Sequence, residues 1–252
     1  MHERRLYAHR GASAERPENT LPAFERAVEV GADSIETDVH MTRDGVPIIA
    51  HDDTALRMAA VPAAWADLDL ADARHLDLGW GFVAADGSRP FAGQGITVTT
   101  FEELLDAFPD VRINVDIKGD KHAIDVMLEL IERKGATERV TIASFQTSIA
   151  IAVRRRGYRG ETALSQGEVI TLLGMPALIW KQLPWTGTAA QVPVHQGPIR
   201  FDRTQFIAKC HLLGLRVDFW VVDDREEASR LLQLGADGIM TNDPAAMQGL
   251  VR

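Results

Sequence analysis

Short units of helix, glycine and strand recur along this chain, and they constrain its fold more than any other feature. Residues 30–38 (VGADSIETD) and 234–242 (LGADGIMTN) resemble each other, and each follows an amphipathic run. Glycine adopts the left-handed conformation that ends a helix, and a β-rich run comes next both times. Gly135, Gly157 and Gly214 repeat the pattern. The chain is therefore expected to alternate helices with strands.

The whole chain divides into such alternating segments. Strands are predicted at residues 5–9, 34–39, 112–117, 140–144, 161–164, 189–192, 216–221 and 238–241. Helices are predicted at about residues 20–30, 100–107, 122–133, 147–156, 166–174, 204–213, 225–233 and 243–250. This alternation predicts the α/β class with an all-parallel sheet, and eight units favour a closed (β/α)8 TIM barrel over an open doubly wound sheet.

The chain length agrees with one domain of this kind. The 252 residues match the roughly 250 residues of a (β/α)8 barrel, so residues 1–252 are predicted to form a single domain. A small insertion subdomain is expected at about 53–98, because this stretch after strand 2 is too long for a βα loop. It follows a turn at residues 43–45 and a short strand at 46–50. An insertion here leaves the carboxyl face of the barrel, where active sites lie, so it is expected to form a lid or a substrate wall.

Composition narrows the classes of partner. The formal charge of −9 and the pI of about 5.4 argue against a nucleic-acid or anionic-membrane surface, because polyanions are bound by clustered Lys and Arg. A small-molecule substrate is favoured.

The single cysteine, Cys210, cannot form an internal disulfide and is expected in the core. No run of 18 apolar residues occurs, so no transmembrane segment is predicted and a cytoplasmic location is expected. The oligomeric state stays open.

Charged residues alternate with apolar ones on two predicted strands. Glu36 and Asp38 share one face of strand 2, and Asn114, Asp116 and Lys118 share one face of the next strand of the sheet. Burying these charges in a barrel lumen without compensation would cost several kcal/mol each. A bound cation would compensate them, and an all-oxygen ligand set suits Mg²⁺, Ca²⁺ or Mn²⁺ more than Zn²⁺. The alternative is a salt-bridge network without metal, in which Lys118 pairs with Asp116 or Glu36.

Two histidines are expected to reach the same end of the barrel. His9 and Arg10 end strand 1, and His51 ends the strand after strand 2. Phosphoryl transfer needs a cation, a further positive charge, and an acid and a base near pH 7, which imidazole supplies. Gln191 ends a later strand and could hydrogen-bond a substrate or only pack in the lumen. His40 continues the face of Glu36 and Asp38 but is expected beyond the strand end.

Several motifs, in order along nearly the whole chain, resemble those of glycerophosphodiester phosphodiesterases. They are residues 9–11 (HRG), 17–20 (PENT), 35–39 (IETDV), 42–45 (TRDG), 48–52 (IIAHD), 114–118 (NVDIK), 144–145 (SF), Trp220, and 238–241 (GIMT) followed by 243–244 (DP). Any one of these would be common by chance, but the ordered set is specific. The resemblance implies a TIM barrel that uses a divalent cation, Mg²⁺, Ca²⁺ or Mn²⁺, to hydrolyse glycerophosphodiesters to glycerol 3-phosphate and an alcohol.

The resemblance also implies a role for each matching residue. It assigns the metal to Glu36, Asp38 and Asp116, the acid/base pair to His9 and His51, phosphate contacts to Arg10 and Lys118, the pocket wall to Trp220, and support of the loop after strand 1 to Glu18 and Asn19. His9 is favoured as the base and His51 as the acid. The nucleophile is water or the glycerol 2-hydroxyl.

The chain departs from the family pattern at two positions. Asp116 stands where the family usually has Glu, so its contact to a metal is expected to be direct or through water. Asp223 stands where the family commonly has Asn, and it is expected to face a cationic head group or solvent. The sequence does not specify the alcohol, and a lysophospholipase D-type activity on the same core is an alternative.

Two further hypotheses use the same residues differently. A lysine at a barrel strand end can form a Schiff base, so Lys118 would suit an aldolase-type lyase. A barrel that binds phosphate without catalysis would bind a diester and not turn it over.

Overall fold

The computed structural model describes residues 2–119, 121–180, 182 and 187–251. Its strands are β1 (Arg5–His9), β2 (Ser34–Met41), β3 (Pro47–Ile49), β4 (Arg112–Ile117), β5 (Val140–Ala143), β6 (Ala189–Pro193), β7 (His195–Gln196), β8 (Ile199–Arg200), β9 (Arg216–Trp220) and β10 (Gly238–Thr241). Apart from β7 and β8, which the sequence did not predict, these bounds agree closely with the predicted strands, except at residues 161–164.

Helices alternate with the strands. They are α1 (Leu21–Glu29), α2 (Leu56–Ala59), α3 (Leu70–Ala73), α4 (Phe101–Ala107), α5 (Lys121–Arg133), α6 (Thr147–Arg155), α7 (Gln166–Gly174), α8 (Ala177–Trp180), α9 (Thr204–Leu212) and α10 (Arg225–Gln233), with 3₁₀ turns at Trp65–Asp67 and Leu78–Gly81. Side-chain caps fix several starts. At α4, Thr100 and Glu103 form a reciprocal capping box, which satisfies two backbone N–H groups that the first turn leaves free.

Seven of the strands form one curled parallel sheet. Their order is β5-β4-β2-β1-β10-β9-β6, and β3 pairs antiparallel with β2. The register aligns Asp38 of β2 with Asp116 of β4, and His9 of β1 with Glu36 of β2. Because the strands are parallel, residues at their carboxyl ends meet at one edge of the sheet. The predicted α/β class and parallel sheet are confirmed.

Residues 161–164 lie between the two edge strands and do not form a regular strand. Thr162 makes one parallel bridge to Ile142 of β5, and Ala163 makes one to Ala189 of β6. The segment is short because Ser165 already begins α7 through a capping box with Glu168. Only isolated bridges therefore form where a full strand was predicted.

Side-chain alternation divides the sheet into a polar and an apolar face. Ile35, Val39 and Ile113 pack with Phe24 and Leu104 in one buried cluster between sheet and helices. Glu36 and Asp38, the polar residues of β2, line a cavity on the opposite face. The prediction that the charged faces point into the lumen is confirmed. Cys210 is fully buried on α9, and burial raises the pKa of its thiol to about 12.

The segment between β3 and α4 packs around a small cluster of its own. Trp65 is its largest buried side chain, and Ala55, Ala73 and Leu78 surround it. Trp65 also donates its indole N–H to the Asp52 carbonyl, 2.9 Å away. The segment is therefore attached directly behind His51.

The helix predicted at 243–250 is wrong. Residues 244–249 form consecutive turns, with the N–H of Met247 bonded to the Pro244 carbonyl three residues earlier. Arg225 of α10 donates to the carbonyls of Ala246 and Gln248 and so ties this segment to α10. Within the described residues, no helix combines the length and apolarity that a membrane crossing requires.

Candidate active site

The carboxyl ends of the strands surround a cavity of about 280 Å³. Its polar wall comes from the first half of the chain, where β1, β2 and β4 end. Residues His9, Arg10, Glu36, Asp38, His51, Asp116 and Lys118 line it. Gln191 and Trp220 line the same cavity from β6 and β9. The structure thus brings together every residue to which the sequence assigned a role in catalysis, metal binding or substrate binding.

The loop after β1 aims Arg10 at the acidic end of β2. Arg10 and Gly11 both have left-handed backbones, with φ of 57° and 83°. A Cβ at Gly11 would lie 2.8 Å from Ala23, so the turn requires glycine. In this turn the Arg10 N–H donates to the Glu36 carbonyl at 2.8 Å. The Arg10 guanidinium donates to Glu18 at 3.0 Å, and its Nε lies 3.8 Å from Asp38.

Asn19 fixes the far end of this loop. Its N–H donates to the Arg10 carbonyl at 3.0 Å, and its side-chain oxygen accepts from Thr37 at 2.8 Å. Glu18 and Asn19 therefore both contact the segment that carries Arg10, as expected from the sequence.

The buried carboxylate of Glu36 has little hydrogen-bond compensation. It accepts only the Arg10 N–H at 3.2 Å among the described hydrogen bonds. Burial raises the pKa of Glu36 well above its usual value, and the neighbouring Asp38 raises it further. A second positive charge near Glu36 would reverse this shift.

Lys118 bridges two of the three carboxylates. Its Nζ lies 2.5 Å from Asp116 Oδ2 and 3.1 Å from Asp38 Oδ1. Burial opposes the charge of Lys118, but these two partners outweigh burial and raise its pKa. The alternative without metal predicted that Lys118 pairs with Asp116 or Glu36. The structure shows the pair with Asp116, and the second partner of Lys118 is Asp38 and not Glu36.

The carboxylates still have capacity for a cation. Asp38 Oδ2 and Asp116 Oδ1 are buried and have no hydrogen-bond partner among the described residues. Burial raises the pKa of Asp116 in spite of Lys118. Across the described chain, no three His, Cys, Asp or Glu side chains are already arranged as a metal site. The donor set of carboxylate oxygens nevertheless fits Mg²⁺, Ca²⁺ or Mn²⁺.

His9 is held from behind by an amide. Its Nδ1 lies 2.7 Å from Asn242 Oδ1, and the Asn242 amide donates to Asp223 at 2.7 Å. A carboxylate can only accept, so the Asn242 oxygen must face His9, and Nδ1 must carry the proton. The other ring nitrogen, Nε2, faces Glu36 at 3.9 Å. Burial lowers the pKa of His9, and Arg10 lowers it further.

His51 is held from behind by a carboxylate. Its Nδ1 lies 2.7 Å from Asp52 Oδ1, and Arg57 donates to Asp52 Oδ2 at 2.6 Å. Burial opposes ionisation of Asp52, but Arg57 and His51 outweigh it and lower its pKa to about 2. Arg57 also donates to Glu18 at 2.7 Å. One arginine from the segment after β3 thus supports the partners of both His51 and Arg10.

The remaining candidates occupy the edges of the cavity. Gln191 exchanges hydrogen bonds with Asn114, at 3.0 and 3.3 Å, across the lumen. Trp220 packs edge-to-face against Phe145, with ring centroids 5.5 Å apart. His40 was expected beyond the strand end, but β2 continues to Met41, and His40 Nε2 lies 3.2 Å from the His51 carbonyl oxygen.

Sequence reasoning missed Asn242 and the hydrogen bonds of Asp223. Asp223 is exposed to solvent, one of the two expectations, but it also accepts from the Thr241 hydroxyl and from the Asn242 N–H and amide. A signal for Asn242 was present. Asn242 occupies the position in the repeat at residues 234–242 that Asp38 occupies in the repeat at residues 30–38. It therefore lies at the carboxyl end of β10, in the same sheet as β2.

Comparison with known proteins identifies the family. The model of the glycerophosphoryl diester phosphodiesterase family matches residues 9–246. A probable glycerophosphodiester phosphodiesterase of Mycobacterium tuberculosis is 34% identical over 246 residues, which cover 93% of this chain and 86% of that protein. The chain belongs to this family. Its members are phosphoric diester hydrolases, and the predicted enzyme class is confirmed.

Two further relatives extend the comparison. A human lysophospholipase D is 25% identical over 96% of this chain and 84% of that protein. The fold also matches an Oleispira antarctica phosphodiesterase solved with the product sn-glycerol-3-phosphate, with a TM-score of 0.79 and 19% identity over 98% of this chain and 96% of that one. The curled parallel sheet is therefore shared with this family across large sequence divergence.

Proposed function

We propose that this protein hydrolyses glycerophosphodiesters to glycerol 3-phosphate and an alcohol, with a divalent cation held by Glu36, Asp38 and Asp116. The observation that carries the proposal is the pair of histidines with different partners beside a buried excess of carboxylates. His9 is bonded to a neutral amide, and His51 is bonded to an ionised carboxylate. Such a pair suits one base and one acid on either side of a phosphodiester.

The hydrogen bonds favour His9 as the base. Asn242 holds the proton on Nδ1, so the lone pair on Nε2 points into the cavity and can accept a proton from the nucleophile, water or the glycerol 2-hydroxyl. His51 suits the acid, because Asp52 accepts from Nδ1 and leaves Nε2 as the ring nitrogen that can present a proton to the substrate. The proton on Nε2 of His51 would then pass to the leaving alcohol oxygen.

The remaining groups bind the phosphate. Arg10 and Lys118 line the cavity beside the carboxylates and supply hydrogen-bond donors for the non-bridging oxygens. The cation, when bound, neutralises charge on the phosphoryl group. Trp220 forms a wall for the alcohol or glycerol, and Gln191 contributes an amide to the lining of the cavity.

We further propose that residues 161–164 close the sheet as the eighth strand of a (β/α)8 barrel. Their bridges to both edge strands support this closure. We also propose that residues 53–98 form an insertion that supports the site, as the contacts of Arg57 to Asp52 and Glu18 indicate.

The decisive experiment is a panel of glycerophosphocholine, glycerophosphoethanolamine and glycerophosphoglycerol, each with Mg²⁺, Ca²⁺ or Mn²⁺, scored for glycerol 3-phosphate. We expect release that EDTA abolishes, and a loss of at least about 10²-fold in His9→Ala and in His51→Ala. Full turnover in either variant would contradict the paired role. A Schiff-base lyase would survive EDTA and be trapped on Lys118 by borohydride with a carbonyl substrate, and a non-catalytic barrel would bind diesters without releasing product.

A further inference from the structure

The cavity has two walls of opposite character. The polar wall ends with residue 118, whereas the wall formed by residues 143–240 is mostly apolar. Val169, Ile170 and Leu173 of α7, with Ile199 of β8 and Phe201, line this second part of the cavity. We call these five residues the apolar wall. Leu164 and Val192 continue it into the buried core.

The mouth of the cavity is apolar as well. Phe145, Ile170, Ile199 and Val221 all line the cavity and are between 37% and 59% exposed. They come from four separate parts of the chain: the loop after β5, α7, β8 and the segment after β9. Single exposed apolar residues are normal on a protein surface, but their convergence on one cavity marks a site for an apolar ligand.

The polar wall limits what that ligand can be. Arg10 and Lys118 lie at one end of the same cavity, so a molecule that fills it must present an anion to them and hydrocarbon to the apolar wall. A choline, ethanolamine or glycerol head group would leave the apolar wall without a partner, because each of them is polar. A single hydrocarbon chain satisfies both walls.

We infer that the apolar wall is a hydrocarbon-chain subsite, and that the preferred substrates are phosphodiesters carrying one alkyl or acyl chain. This inference rests on the proposed hydrolysis of glycerophosphodiesters. The phosphorus lies against the polar wall, and the chain runs along α7 toward Ile199 and Phe201. The substrate specificity of the enzyme then depends on the second half of the polypeptide, and its chemistry depends on the first half.

The test is a homologous series of glycerol 3-phosphate esters with straight-chain alcohols of two to eight carbons, kept below their aggregation concentrations. All of them release glycerol 3-phosphate, so one assay serves the series. Full burial of a methylene corresponds to about fourfold in kcat/KM, and a half-buried chain to about twofold. We expect a rise of roughly 60-fold from the ethyl to the octyl ester.

A lysophospholipid with its acyl chain on the glycerol forms the second arm. One outcome is that the lysophospholipid is preferred over glycerophosphoethanolamine while kcat/KM does not change along the alkyl series. That outcome places the hydrocarbon chain on the glycerol side of the phosphate, and it equally supports the subsite. Flat responses in both arms overturn the inference while the proposed hydrolysis stands. If neither the short esters nor glycerophosphoethanolamine is hydrolysed, the proposed function fails, and the subsite assignment fails with it.

Matched variants locate the effect. The double variant Ile170→Ser, Ile199→Ser is expected to reduce the octyl-to-ethyl ratio of kcat/KM to below about tenfold. Leu212→Ser is the control, because Leu212 is 60% exposed and does not line the cavity. It should keep the ratio of the unmodified protein. A double variant that also keeps the full ratio excludes the apolar wall as the chain site.

Discussion

Two clusters of charged residues lie at opposite ends of the same sheet. At the amino ends of the strands, Arg5 and Arg216 pair with Glu161 at 2.7 and 3.4 Å, and Arg216 pairs with Asp218 at 2.8 Å. At the carboxyl ends, Glu36, Asp38 and Asp116 share the positive charges of Lys118 and Arg10. The residue types are similar, but only the first cluster has an arginine bonded to every carboxylate.

The two clusters shift carboxyl groups in opposite directions. Burial opposes ionisation of Glu161, but Arg5 and Arg216 outweigh it and lower its pKa to about 2. Burial and Asp38 raise the pKa of Glu36. A carboxyl group with a lowered pKa stabilises the fold at neutral pH, and one with a raised pKa destabilises it. The comparison indicates that the amino-end cluster stabilises the protein, whereas the carboxyl-end cluster is maintained for binding at a cost in stability.

Replacement of Glu36 should give the largest effect. We expect Glu36→Gln to reduce the release of glycerol 3-phosphate by about 10³-fold, because one of the three proposed metal ligands is lost. Without divalent cation, its free energy of unfolding at pH 7 should rise by about 1 kcal/mol, because a disfavoured charge is removed. Activity assays and urea unfolding measure the two effects. A variant that unfolds more easily than the unmodified protein would show that both clusters are structural.

Replacement of Glu161 should have the opposite profile. Glu161→Gln should lower the free energy of unfolding at pH 7 by about 2 kcal/mol and leave turnover intact, because Glu161 lies away from the cavity. The folded-state pKa lies below the unfolded value, so the stabilisation is complete above about pH 5 and decreases as the pH falls toward about 2. Urea unfolding at pH 7, 5 and 3.5 should show the two proteins converging. A constant difference would contradict this linkage.

Replacement of Asp223 should give the smallest effect. It tests whether a carboxylate at the carboxyl end of the sheet serves metal binding even when it has hydrogen-bond partners. Asp223 lies at the carboxyl end, yet its oxygens are bonded to Thr241 and Asn242. We therefore expect Asp223→Ala to reduce kcat by about tenfold through the loss of support for His9, whereas Asp223→Asn keeps most activity because an amide oxygen can still accept.

We expect Mn²⁺ to raise the Tm of the unmodified protein through the proposed cation site, and both Asp223 variants should retain that rise. The kcat values and the Tm shift with Mn²⁺ are the two measurements. Loss of the Mn²⁺ shift in Asp223→Ala would place this residue among the metal ligands and remove the distinction between paired and unpaired carboxylates.

Local sequence determined most of the backbone. The apolar periods and the glycines that follow helices predicted strands such as β1 and β4 at their observed bounds, because these signals act within a few residues. The period of two on β2 also placed Glu36 and Asp38 on one face. Turns replace the helix predicted at 243–250, and Arg225, 21 residues from Ala246 in sequence, ties that segment to α10.

Tertiary structure decided how these side chains are paired. Asn242 reaches His9 across 233 residues of sequence because β10 pairs with β1 in the curled sheet. Arg57 reaches Glu18 across 39 residues through the folding of the segment after β3. The apolar wall likewise exists only where α7 and β8 converge on one cavity. The sequence thus determined which groups end each strand, and the curl of the sheet determined their neighbours, because hydrogen bonds and charge interactions act over a few ångströms in space and not along the chain.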